Sequence, residues 1–397
     1  MNHALAHCQA CESARLEGIF ELQSVPVHSC LMVRTREQAL AFPRGALDLA
    51  ICLDCGFIQN RAYEASLQSY SPEYEETQAF SGTFRAFQTR LCHDQVARYA
   101  LADKLVLEIG CGKGEFVTEL CEISGGRGIG IDPGYRPERN TSDAASRIDF
   151  RTEFYTVDHA SLAADYVACR HTLEHIGPVR EFVNTVRRSL EGRAGAVVFF
   201  ELPAAERVLT ERAFWDMYYE HCSYFTLGSL ARLFRRERFQ VLDLYTGYDA
   251  QYLMIEARPV DTQDEAQRGR RFKAEDDLDA TIQAAREFRE TIGSKLAALR
   301  AELQAAAMKG PVALWGSGSK AVSYLTTLDV TDEVAAVVDI NPHKHGKFMA
   351  GTAHEILPPS ALVALQPASV IVMNPIYLDE IRSDLEGLGL APEVWAL

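Results

Sequence analysis

The stretch that most constrains this chain is Leu105-Val106-Leu107-Glu108-Ile109-Gly110-Cys111-Gly112-Lys113-Gly114, with the run Glu115 to Ile123 directly after it. Five mostly apolar residues read as a buried strand, three alternating glycines as a tight turn, and the following run as an amphipathic helix. A strand that leaves through a helix belongs to a parallel sheet, because parallel neighbours need a crossover. The pattern repeats on both sides. Strand-like runs occur at 105–109, 127–131, 166–170, 197–201, 241–245 and 252–257, with helix-like segments such as 179–190 and 229–234 between them. This region predicts an α/β fold, a mostly parallel sheet with helices on both faces.

The loop also speaks to ligand chemistry. A dinucleotide fingerprint, G-x-G-x-x-G, would need glycine at 115, where Glu115 stands. The pattern here is E-x-G-x-G-x-G. Its glycine backbone can approach a ligand laid over the strand end, with no pyrophosphate required at the helix N-terminus. Asp132 follows Gly112 by 20 residues, at the end of the next strand. An acid there can hydrogen-bond two ribose hydroxyls.

A length of 397 residues predicts two or three domains. Of the 10 cysteines, five lie in residues 1–70, where Cys8-x-x-Cys11 and Cys52-x-x-Cys55 form two knuckles. Two knuckles supply the four sulfurs of a tetrahedral zinc, and four protein ligands leave no open position, so the metal is expected to be structural. Gly56 eases the second turn. The other six cysteines read as small apolar fillers. Residues 71–260 form the middle domain. A polar stretch at 258–277 then leads into a helix with apolar residues at Leu278, Ile282, Ala285, Phe288, Ile292, Leu296, Leu299 and Leu303. After Gly310 a second α/β pattern begins, so 261–397 reads as a third domain. Its loop, Gly316-Ser317-Gly318-Ser319-Lys320-Ala321, has the spacing G-x-G-x-x-A, and Asp339 ends the next strand. Taken alone, that spacing suits a dinucleotide or a packing-only remnant.

Charge narrows the partners. Against 55 Asp+Glu stand 40 Lys+Arg, a net charge of -15. Such a chain repels nucleic acid and anionic membrane, so neither is expected as a partner. No run of about 18 apolar residues suggests a membrane span, and the start MNHALAHCQACESARLEG has no apolar signal core. A reducing, cytoplasmic setting is the expectation. The oligomeric state is not fixed by the sequence, and a monomer is plausible.

Potential acid–base chemistry concentrates in Tyr218-Tyr219-Glu220-His221-Cys222-Ser223-Tyr224-Phe225. His221 can titrate near neutrality and so fits a general base; Glu220 and Tyr218 can orient it or bind substrate. An aromatic loop packed over a cofactor is the competing reading.

The runs LEIGCGKGEF, GIGIDP and DYVACRHTLEHI resemble the S-adenosylmethionine site of class I methyltransferases. The resemblance implies that Gly110, Gly112 and Gly114 line the methionine and ribose, that Glu108 orients the loop or the amino-acid end, and that Asp132 holds the ribose. With the two knuckles, the YYEHCSYFT segment, the long helix and DINPHKHGKFMAGTAHEILPP, nearly the whole chain resembles the sugar C-methyltransferases. That family implies an N-terminal zinc-binding domain, a central class I methyltransferase Rossmann-like domain and a C-terminal Rossmann-like α/β domain. It also implies methylation at C3 of a nucleotide-diphosphate 4-keto sugar, with His221 as base and Tyr218 and Glu220 at the sugar. His175, and a tyrosine of the 70–74 segment, for which Tyr74 is preferred, would join them. Gly316, Gly318 and Lys320 would lie near the diphosphate or sugar; Ala321 stands where the family's loop has glycine. The alternatives are an oxygen or nitrogen methyltransferase on a small metabolite, an NAD-linked oxidoreductase using the C-terminal loop, and a non-enzymatic zinc-ribbon adaptor.

Overall fold

A computed structural model describes residues 5–68, 73–330 and 332–397. Its frame is three sheets. The N-terminal region, which the sequence presents as loop-rich, is built on antiparallel strands β1 (Leu16–Pro26), β2 (Arg44–Cys52) and β3 (Ile58–Asn60). Their register, with Leu16 opposite Cys52, carries the second cysteine knuckle back beside the first.

The middle sheet contains β4 (Leu105–Ile109), β5 (Arg127–Ile131), β6 (Ile148–Arg151), β7 (Tyr166–Arg170) and β8 (Val197–Pro203), all parallel. The two-residue strand β9 (Ser223–Tyr224) leaves this domain and pairs with β3, completing the N-terminal sheet. Strands β10 (Phe239–Gly247) and β11 (Tyr252–Pro259) add to β8 as an antiparallel edge, giving the order β10-β11-β8-β7-β4-β5-β6. The chain runs outward from β4 to β6 and then returns to β7 on the other side of β4. Ligands of open α/β sheets bind at that reversal, beyond the carboxyl ends of the strands. The glycine loop after β4 stands there.

The third sheet, wholly parallel, comprises β12 (Val312–Trp315), β13 (Ala336–Val338), β14 (Ile356–Leu357), β15 (Ser369–Val372) and β16 (Glu393–Ala396) in the order β14-β13-β12-β15-β16. It reverses between β12 and β15, and the Gly316–Lys320 loop follows β12. The helix Leu278–Lys309 buries Ala285, Phe288 and Ile292, as the apolar spacing predicts. They join a core shared by Ile19 and Ile51 of the first sheet, Phe214, and Val312 and Ile371 of the third. One continuous core therefore ties the third sheet to the first. No helix among the described residues is long and apolar enough to cross a membrane.

Candidate active site

The loops at both reversal points open into one cavity of about 940 Å³. Ligand sites commonly hold roughly 300–1,000 Å³, so this one has room for a large ligand or a pair. Glu108, Gly110, Gly112, Asp132, His175, Tyr218, His221, Tyr74, Gly316, Gly318 and Lys320 border it. Gly114 and Glu220 stand behind its wall. Tyr70 falls outside the described residues.

The glycine-loop end of the cavity is built by backbone conformation. Gly110 and Gly112 sit at φ +70° and +54°, where a side chain is strained. A Cβ on Gly110 would come 2.0 Å from Thr172 Oγ1, and one on Gly112 would come 2.8 Å from Glu76 Oε1. Gly114 sits at φ +81° as well, and a Cβ there would come 2.7 Å from the Phe150 ring. Glu108 accepts from the Val117 amide at 3.0 Å, so it fastens the loop to the helix Glu115–Ser124. Burial raises its carboxyl to about 8, against the pull of Arg170. Asp132 accepts from the amides of Gly112 at 2.9 Å and Gly134 at 2.6 Å, which hold its oxygens at the cavity edge.

Lys113, which no sequence signal marks, is 2% exposed. Its ammonium donates to the carbonyls of Tyr74 at 2.9 Å and Gly134 at 3.3 Å and pairs with Glu76 at 3.3 Å. It thereby straps the Tyr74 segment over the loop.

At the chemical end, His221 Nε2 lies 2.8 Å from the Tyr218 hydroxyl. Burial, with His175, His171 and Lys320 nearby, lowers His221 well below the ordinary imidazole range, so the ring is neutral. Burial pushes Tyr218 well above 10, so its phenol keeps its proton. His175 stands edge-on to His221 with ring centres 4.8 Å apart. Glu220 turns away from the cavity. It is fully buried and accepts from His28 Nδ1 at 2.9 Å, the Ser29 amide at 2.8 Å and the Ser29 hydroxyl. Ser29 Oγ, its proton given to Glu220, in turn accepts from the Ser319 hydroxyl at 2.7 Å, at the start of the helix Ser319–Leu328. Glu220 thus joins three domains behind the imidazole, a role that the isolated Y-x-E-H pattern does not disclose.

The C-terminal loop is less open to a dinucleotide than its spacing suggests. Asp339 accepts from the Ser317 amide and hydroxyl at 2.9 and 2.6 Å, from the Asn341 amide at 2.9 Å and from Lys344 at 3.2 Å. Its carboxylate is already engaged where a ribose acceptor would be needed. Lys320 borders the cavity and pairs with Asp216.

Away from this cavity, the four knuckle sulfurs lie within 4.8 Å of one another, with Cys8–Cys55 at 3.6 Å and Cys11–Cys52 at 3.5 Å. A zinc tetrahedron with bonds of about 2.3 Å separates its sulfurs by about 3.8 Å. The cluster fits that ion.

Residues 84–244 match the methyltransferase-domain family, and residues 253–389 match the C-methyltransferase C-terminal domain family. Over these two segments the chain is similar to the C-methyltransferases. It is 28% identical over 211 residues to the C-methyltransferase NovU of Streptomyces niveus, an alignment covering 50% of this chain and 48% of that protein. The chain thus spans about half the length of the curated relative it matches. Among solved structures, an S-adenosylmethionine-dependent methyltransferase from Listeria monocytogenes shares 14% identity at a TM-score of 0.35, covering 45% of this chain and 100% of the other. The 1,6-didemethyltoxoflavin-N1-methyltransferase of Burkholderia thailandensis shares 16% at 0.35, covering 55% and 96%.

Proposed function

We propose that this methyltransferase uses S-adenosylmethionine to methylate C3 of a nucleotide-diphosphate 4-keto sugar. The observation that carries the reading is the 2.8 Å pairing of a neutral imidazole with a neutral phenol, on the wall shared with the glycine loop. Methylation of carbon beside a ketone needs a base at the α-proton and a donor at the adjacent oxygen. His221 and Tyr218 offer that pair at the spacing of neighbouring atoms. In this reading His221 removes the C3 proton while Tyr218 turns its hydroxyl onto the carbonyl oxygen and steadies the enolate. When bound, the cofactor supplies an electrophilic methyl group on sulfur. Gly110, Gly112 and Asp132 hold its ribose and methionine; Tyr74 and His175 close the pocket around the sugar. The diphosphate is assigned to Gly316, Gly318 and Lys320, where loop amides and one ammonium can receive it. Cys8, Cys11, Cys52 and Cys55 hold a structural zinc.

The test supplies labelled methyl donor to a panel of nucleotide-linked 4-keto sugars and follows products by mass spectrometry. Substrate incubated in heavy water without donor is expected to gain deuterium at C3. Label appearing on oxygen or nitrogen, with no exchange at C3, would sink the carbon assignment.

A further inference from the structure

Carbon methylation leaves a proton behind. The C3–H bond breaks, its electron pair becomes the enolate and then the new C–C bond, and the S–CH3 bond breaks with its pair left on sulfur. One proton therefore remains on His221 at each turnover. That ring is 5% exposed, and its surroundings disfavour the charged form. The base cannot act again until the proton leaves.

Two side chains outside the mechanism above stand in line with it. Glu174 is 2% exposed, yet its Oε2 has no hydrogen-bond partner among the described residues. Its Oε1 lies 4.0 Å from His221 Nε2 and 3.8 Å from His171 Nδ1. These spacings fall one small movement short of hydrogen bonds, a common state before substrate binds. A buried carboxylate left half unsatisfied needs a reason. His171 borders the cavity with 28% of its side chain exposed. It adopts φ +47°, a strained conformation for a residue with a side chain. Its amide and Nε2 both bond to Glu201, at 2.8 and 2.9 Å. Burial alone would lower His171, but Glu174 and Glu201 hold it up to about 9, so it rests protonated. Arg170 and His171 face Glu201 and Glu174, two positive charges against two negative.

We infer that Glu174 and His171 form a proton exit that resets His221 after each methyl transfer. The inference rests on the carbon methylation proposed above. His221 passes its proton to Glu174; His171 releases its own to water and takes the one from Glu174, so the resting charges return. Neither residue touches the reacting atoms in this scheme. They act through His221.

Rapid-quench kinetics with labelled donor on the full chain separate resetting from chemistry. Glu174→Gln is expected to keep the first-turnover burst while the steady-state rate falls roughly 10²-fold and gains a solvent deuterium isotope effect. Glu174→Asp should restore much of the rate. His171→Asn, at the more exposed station, should show the same split if Glu174→Gln folds poorly. Burst and steady state falling together in folded Glu174→Gln and His171→Asn, or neither changing, would overturn the relay. The His221→Ala protein keeps the two ideas apart: turnover surviving there removes the proposed base, whereas an inactive His221→Ala beside unsplit relay variants removes only the exit.

Discussion

Gly110 and Gly125 share φ +70° but not their surroundings, and the pair isolates what the cofactor loop asks of a residue. A Cβ on Gly125 meets nothing within 4 Å, while one on Gly110 meets Thr172 Oγ1 at 2.0 Å. Gly125→Ala is therefore expected to lose about 1 kcal/mol of stability from strain alone, with affinity for S-adenosylhomocysteine unchanged by calorimetry. Gly110→Ala should abolish that affinity. Equal losses in both variants would remove the steric argument. His221 yields a second expectation. Its lowered pKa keeps the proposed base neutral at pH 7, and acid removes it only as pH falls through the folded value. The acid limb of C3 deuterium exchange should therefore lie below about pH 6.5, the ordinary imidazole value. Stability follows the same direction, because the unfolded ring takes up its proton first and acid favours unfolding. An acid limb centred above 6.5 would assign the base to another group.

At the scale of elements, the polar stretch at 258–277 is the clearest departure from its sequence texture. Its composition reads as a boundary, yet Arg235 grips it. That guanidinium, 1% exposed, reaches from the helix Leu227–Arg236 to both Glu275 oxygens at 2.8 Å and to the carbonyls of Ala266 and Arg270 at 2.7 and 2.6 Å. Arg235→Ala leaves Glu275, 4% exposed, with its main buried partner gone. A loss of about 3–5 kcal/mol is expected, read as a lowered denaturation midpoint; a loss under about 1 kcal/mol would mean that the segment is held otherwise. Periodicity exposes β4, β5 and β7 and the long helix because each repeats one residue type at a fixed spacing. The β6 strand is only four residues long, and Glu220, His28 and Lys113 act across separations that no local window spans. The site was legible where a loop carries its own chemistry. It was hidden where one domain completes another.

For the whole molecule, the four-cysteine domain and the proposed base are mechanically joined. Strand β9 begins two residues after His221, and its Ser223 and Tyr224 pair with Gln59 and Ile58 of β3. The Asn60 amide donates to the Cys222 carbonyl at 2.9 Å, the Glu64 amide donates to the Tyr219 hydroxyl at 2.8 Å, and Glu220 is held by His28 and Ser29. Residues 219–224 are thus fixed from the N-terminal side, whereas the glycine loop rests on β4, β5 and their own helix. A structural zinc contributes folding energy directly, on the order of 10 kcal/mol in small domains. Its removal should therefore disorder the base before the cofactor site. Cys52→Ser is expected to lose bound zinc by elemental mass spectrometry and to slow C3 deuterium exchange roughly 100-fold, a base-sized effect. Affinity for S-adenosylhomocysteine should change by less than about tenfold, or ~1.4 kcal/mol. Exchange that survives complete zinc loss would show that the segment 219–224 holds its geometry alone. Loss of cofactor affinity in parallel would show one cooperative unit instead of a scaffold with a dependent catalytic edge.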